Sequence, residues 1–143
     1  MTLEKLIPIL QMAIGPVILI SGVGMLLLVM TNRLARTIDR ARLLVAILRQ
    51  CDEAERLRSQ AQLDILWQRA NLLRTAIAMA AASALLAALL IIAIFFSVLM
   101  NWQLIWLICA VFVACLSALI GSLVYFLRDI NKTLHALQLE LTA

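Results

Sequence analysis

Apolar positions along this chain gather into three long runs, with no charged residue between positions 6 and 32, 75 and 100, or 101 and 127. Polar positions gather between them, and nine of the ten arginines lie from Arg33 to Arg74. A bilayer hydrocarbon core of about 30 Å takes about 20 apolar residues of helix. The runs therefore predict membrane spans over residues 9–31, 76–100 and 104–127. A chain of 143 residues cannot build a soluble core large enough to hide three such helices.

Between the first two spans the pattern changes period. Leu34, Ile38, Ala41, Val45 and Leu48 recur at alternating spacings of four and three. Leu63, Leu66, Ala70, Leu73 and Ile77 do the same. Each is a heptad-like stripe on one helix face. The most polar point between them is Cys51-Asp52-Glu53-Ala54-Glu55-Arg56. Residues 32–75 are therefore predicted to form an antiparallel helical hairpin, each arm continuous with a span. Residues 128–143 form a polar tail with Leu134, Leu137 and Leu141 at helical spacing, which predicts a short amphipathic helix on the membrane surface or on the hairpin. The fold class is all-α, in one membrane domain over residues 1–143.

Small residues and prolines modify the spans. Pro8 suits the first turn of a helix, where its missing N–H costs nothing. Pro16 removes one backbone hydrogen bond near Met12 and predicts a kink. Gly15, Ser21, Gly22 and Gly24 thin the first span, so that another helix can approach closely or a polar path can run beside it. Gln11, Pro16, Ser21, Gly22, Gly24, Thr31 and Asn32 are the candidate pore-lining or helix-packing residues. In the second span Ala76, Ala80, Ala84 and Ala88 stand four apart, as do Ala110, Ala114, Ala118 and Ser122 in the third. These two faces are expected to pack on each other across the turn Asn101-Trp102-Gln103.

The chain is 65% hydrophobic and 14% charged, with a net charge of +4 and mean hydropathy +1.06. Positive residues stay on the cytoplasmic side of a membrane. The arginine-rich hairpin, and the tail with Arg128 and Lys132, are accordingly placed inside, and the N-terminus and the 101–103 turn outside. Trp102 and Trp106 fit one interface and Tyr125 the other. The N-terminus has no basic run ahead of its apolar stretch and no small-residue cleavage site, so the first span is read as retained. Cys51, Cys109 and Cys115 form no metal-binding or redox motif and read as small apolar fillers.

Candidate chemistry is sparse. There is no nucleophile–base pair, P-loop, zinc-binding motif or dinucleotide fingerprint, so neither an enzyme, a metal nor a cofactor is expected. The spans hold no ionisable group of the kind that couples proton or ion pumping. What remains is a basic collar of Arg33, Arg36 and Arg40 on one helix face, with Asp39 within one turn as its ion-pair partner. Acidic residues interleave with the arginines and no aromatic platform accompanies them, which excludes nucleic acid as a partner. Membrane lipids, anionic ones above all, are the expected neighbours.

Pro16 to Leu28, reading PVILISGVGMLLL, is followed by Met30-Thr31-Asn32-Arg33 and Ile38-Asp39-Arg40. This resembles a family of small bacterial membrane proteins known as domain of unknown function 2721, over residues 8–130. The resemblance implies a bacterial cytoplasmic membrane and two further spans, and it supplies no reaction. It marks Pro16, Ser21, Gly22, Gly24, Thr31, Asn32, Arg33 and Asp39 as positions to test.

A thin Gly/Ser helix that ends in a polar, basic mouth, in a chain too small to enclose a path alone, leads to one expectation. Copies assemble as a homo-oligomer around the first span and conduct small ions. The alternative is a structural or regulatory membrane adaptor whose hairpin binds a protein or anionic lipid.

Overall fold

The computed structural model describes residues 2–50 and 52–142. Three helices make up most of the described residues: α1 (Leu3–Leu48), α2 (Glu53–Leu99) and α3 (Ile105–Thr142). No strand occurs among them. Each helix is long and apolar enough to cross a membrane. The 46 residues of α1 reach about 69 Å at 1.5 Å per residue, more than twice the hydrocarbon core. Every helix thus carries a charge-free stretch and a charged extension. Cys51, at the expected hairpin tip, lies outside the described residues.

Local sequence explains where the helices begin and end. The Thr2 carbonyl accepts from Lys5 and Leu6 N–H, starting α1 at Leu3. Pro8 therefore lies in the second turn, not the first as the sequence suggested. Pro16 also sits inside the unbroken helix. Nothing at Thr31-Asn32-Arg33 ends α1, because no proline or glycine follows until Gly121. The end of α2 needs neither residue. Asn101 takes the left-handed conformation (φ 55°), Trp102 N–H reaches the Ser97 carbonyl at 3.1 Å, and Met100 N–H the Phe96 carbonyl at 2.9 Å. This is a Schellman-type stop with asparagine in place of glycine. Ser97 Oγ donates to the Trp102 carbonyl at 2.7 Å and ties the turn down.

The chain divides into two compact units. One combines α1 up to Leu27 with Ala78–Gly121. Here α2 and α3 are joined by reciprocal bonds: Ser83 Oγ donates to the Cys115 carbonyl (3.0 Å), and Cys115 Sγ to the Ser83 carbonyl (3.2 Å). Cys115 is thus a polar link between helices as well as a filler, while Cys109 is exposed. Gly121 leaves room for the Met79 terminal methyl, which a Cβ at that position would strike. The buried line on α2 runs Ala80, Ser83, Ala87 and Leu90. The alanine row expected to form this contact only starts it, and Ala110 and Ala114 are exposed. Residues four apart drift by about 40° per step, whereas packed helices follow a 3.5-residue repeat.

The other unit combines Leu28–Ile77 with α3 from Ser122 onward. Met30, Thr37, Ser59, Leu66, Leu73, Ala76, Ser122 and Asp129 are its buried positions among the described residues, on three helices. Ser122 Oγ donates to the Ala76 carbonyl at 2.7 Å. The tail is no separate surface helix, because α3 runs through it to Thr142. It lies on the extensions of α1 and α2 through Asp129 and Thr133, and the leucine stripe expected to make the contact is exposed.

Candidate functional site

Asp129 is fully buried, and both of its carboxylate oxygens are engaged. Arg33 donates to Oδ2 from Nη2 at 3.0 Å and from Nε at 3.2 Å. Arg69 Nε donates to Oδ1 at 3.3 Å. One residue from each helix thus meets at a single point. Burying a carboxylate costs several kcal/mol unless charged, hydrogen-bonded partners offset it. Two guanidiniums do so here and leave the cluster with one excess positive charge.

The surroundings hold the clamp in shape. Thr133, one turn along α3, donates to the Asp129 carbonyl at 2.9 Å and lies 3.3 Å from Arg33 Nη2, which donates to its hydroxyl. Phe126, one turn back, lies under the Arg33 guanidinium at 5.6 Å. Thr37 is buried and donates to the Arg33 carbonyl at 2.9 Å. Lys132 Nζ donates to Gln68 Oε1 at 3.0 Å, a second link between α3 and α2. Arg128 stacks over Tyr125 at 5.9 Å.

Beside the clamp, the extensions of α1 and α2 bound an open groove of about 650 Å³. Its walls include Leu34, Ile38, Ala41 and Val45 on one side and Leu63, Leu66, Trp67 and Ala70 on the other. These are four of the five positions of the first heptad-like stripe and three of the five of the second, plus a tryptophan that is 67% exposed. Arg42, Asp64 and Arg74 stand at the rim. The stripes do not close fully on one another, because α3 packs on their other side.

The residues singled out from sequence fall into two groups. Arg33 enters the clamp and is half-buried. Gln11, Ser21, Gly22, Gly24, Thr31, Asn32, Arg36, Asp39 and Arg40 are exposed, and Pro16 is half-buried. Thr31 Oγ1 donates to the Leu28 carbonyl at 3.0 Å. A Cβ added to Gly15, Gly22 or Gly24 would meet nothing within 4 Å, so no helix of this chain presses on them. Asp129 escaped the sequence reading, which gave Asp39 to the collar. The signal was there: a lone acid at the end of an apolar run, where basic residues are the rule, with a threonine one turn on.

Three long apolar helices, pinned where their charged extensions begin, define a small helical membrane protein. Residues 13–139 match the family model described as "Protein of unknown function (DUF2721)", and the chain belongs to that family. No curated protein and no solved structure matches it significantly.

Proposed function

We propose that the protein is a homo-oligomer of the bacterial inner membrane, assembled through α1, where Gly15 and Gly22 share one face. In this reading the arginine-rich extensions lie in the cytoplasm as a helical hairpin and the N-terminus lies outside, as the positive charges favour. Small ions pass along the shared axis, by Ser21 and Thr31 to a mouth at Asn32. Catalysis, a cofactor and a metal have no part in it. Anionic lipid headgroups meet the exposed arginines near the membrane.

One observation carries the reading. Gly15, Gly22 and Gly24 open onto empty space, and Ser21 beside them is exposed. Glycine weakens a helix by about 1 kcal/mol relative to alanine, so three of them without a partner inside the chain call for one outside it. The clamp modifies the permeation part. Arg33 is held by Asp129, so any preference for anions falls to the one excess charge of the cluster and to residues further along α1 such as Arg36.

Purified protein in liposomes tests the proposal. An oligomer that conducts supports it. An intact oligomer without conductance at any salt or voltage removes the pore and keeps the assembly. The apolar groove favours a second reading, in which the hairpin is the binding face of a structural or regulatory adaptor. In that case a partner protein co-purifies with the wild-type chain and is lost when the groove is filled.

A further inference from the structure

A guanidinium carries five N–H donors in a planar fork. Arg69 gives the clamp one of them, from Nε to Asp129 Oδ1. Arg33 gives three, Nε and Nη2 to Asp129 Oδ2 and Nη2 again to Thr133 Oγ1. Both terminal nitrogens of Arg69, and Nη1 of Arg33, are left without a partner among the described residues. None of the three is sealed in, because no buried side-chain nitrogen of the described residues lacks a hydrogen bond. Asp129, fully buried, holds the inner edges of the two forks, and their outer edges reach the surface.

The charge around these edges is one-sided. Within one turn of Arg33, Arg69 and Asp129 on their own helices stand Arg36, Arg128 and Lys132, and no second acid. Asp39 and Asp64 lie five or more residues off. Lys132 Nζ donates to Gln68 Oε1 at 3.0 Å, on the same seam between α2 and α3 that Arg69 and Asp129 form. The surface here is built for an oxyanion.

Its place names the source. The charge-free run of α1 ends at Asn32 and that of α3 at Leu127, so Arg33 and Arg128 are the first charges beyond the hydrocarbon on their helices. The headgroup layer adds about 5–8 Å outside that level. Arg69 stands six residues, about 9 Å, outside the run of α2 that starts at residue 75, and its side chain reaches the same point through Asp129. Two aromatic side chains of the kind that favours this layer lie at hand: exposed Trp67, two residues from Arg69, and Tyr125, stacked with Arg128.

We propose that the open edge of the clamp binds the phosphate of an anionic phospholipid, with Arg69 as the main fork and Arg33 Nη1 and Lys132 in support. This rests on the reading that lipid headgroups meet the arginines near the membrane, and it names one site within that general contact; it needs neither the oligomer nor the pore. Arginine meets phosphate with paired, charge-assisted hydrogen bonds. A free arginine gives up side-chain freedom to form them, whereas Asp129 has already fixed both side chains here. The phosphate in turn offsets the excess positive charge of the cluster.

Native mass spectrometry of the full chain tests this, after release from micelles holding equal amounts of phosphatidylglycerol and phosphatidylcholine. The wild-type chain should retain phosphatidylglycerol over phosphatidylcholine by about tenfold or more, the step that one hydrogen bond to a charged group implies. Arg69→Gln combined with Asp129→Asn removes the fork without stranding the carboxylate, and should lose that preference while circular dichroism shows the helices intact. Arg36→Gln, an exposed arginine one turn from Arg33, should keep it. Should the double variant not fold, Arg69→Lys decides: it keeps the charge and loses the fork, so a clear drop in retention supports the site and wild-type retention overturns it. Equal loss in Arg36→Gln and the double variant overturns the site and leaves the general contact standing. No preference in the wild-type chain overturns both. Inorganic phosphate that raises the thermal midpoint in lipid-free detergent as far as phosphatidylglycerol does would mean a soluble ligand, and overturns the lipid. Subunit number is read in the same spectra. A monomer that keeps its lipid removes the oligomer and supports the site, and an oligomer without lipid overturns the site alone.

Discussion

Arg33 and Asp129, 96 residues apart in the chain, are joined by two hydrogen bonds from the guanidinium to one carboxylate oxygen. Arg69 takes the other oxygen. The arrangement fastens the three helices at one level. Removing one partner from a buried ion pair costs about 3–5 kcal/mol, because the remaining charge is stranded. Asp129→Asn should lower stability by that order in a denaturant titration of the detergent-solubilised protein. Arg33→Gln combined with Asp129→Asn should cost less than the two changes summed, by about 0.5–3 kcal/mol. Strict additivity would show that the pair does not stabilise the fold.

The same bond decides which arginine can report on ions. Arg33→Glu sets a carboxylate against buried Asp129 and should lose folded protein before any filter is tested. Arg36 is exposed, so Arg36→Glu should leave the thermal midpoint within a few degrees of wild type. If the oligomer conducts, its anion-to-cation permeability ratio should fall in this variant. An unchanged ratio excludes Arg36 from the mouth.

Gly22→Leu places a large side chain where nothing in the chain stands within 4 Å. Stability of the single chain should hold or rise slightly, since leucine is the better helix former by about 1 kcal/mol. Subunit number should fall if copies meet on this face. Light scattering together with a denaturant titration separates the two effects. Loss of single-chain stability would place the glycine in an internal contact instead.

Ser83 and Cys115 exchange hydrogen bonds between α2 and α3 in a buried position. Interhelical side-chain bonds of this kind in membranes average about 0.6 kcal/mol, so Ser83→Ala should cost about that much. A membrane-permeant maleimide should label exposed Cys109 in the native protein and reach Cys115 only after denaturation. Equal labelling of both would mean that these helices are not packed here.

Gly121 faces the flexible end of Met79. Gly121→Ala should be nearly neutral, because that methyl can swing aside. Gly121→Leu should cost about 1–3 kcal/mol through overpacking. A denaturation series over the two variants checks the order.

Much of the architecture is legible in the residues. Three charge-free runs need lipid, and each is long enough to span it. The absence of proline and glycine from Met25 to Ile120 carries α1 past the membrane unbroken. Asn101-Trp102-Gln103 was recognisable as a turn by composition. The heptad-like stripes were also visible, but their use was not. They bound a groove because a third helix packs on the opposite side, and that helix is distant in sequence. The leucine stripe of the tail misled for a related reason. Periodicity tells which residues share a face and is silent on which face is covered. Asp129 was covered instead, with two guanidiniums offsetting the cost of burying its carboxylate, while the leucines were left at the surface.

By itself, then, the sequence determined the three apolar runs, the helices that contain them and the membrane, since transfer free energy is a sum over neighbouring residues. Only the tertiary structure decided that Asp129 and not Asp39 receives Arg33, that the glycines of α1 are left open, and that the two stripes wall a groove. Those depend on which distant residues are brought within about 3 Å of each other, and no local sum contains that distance.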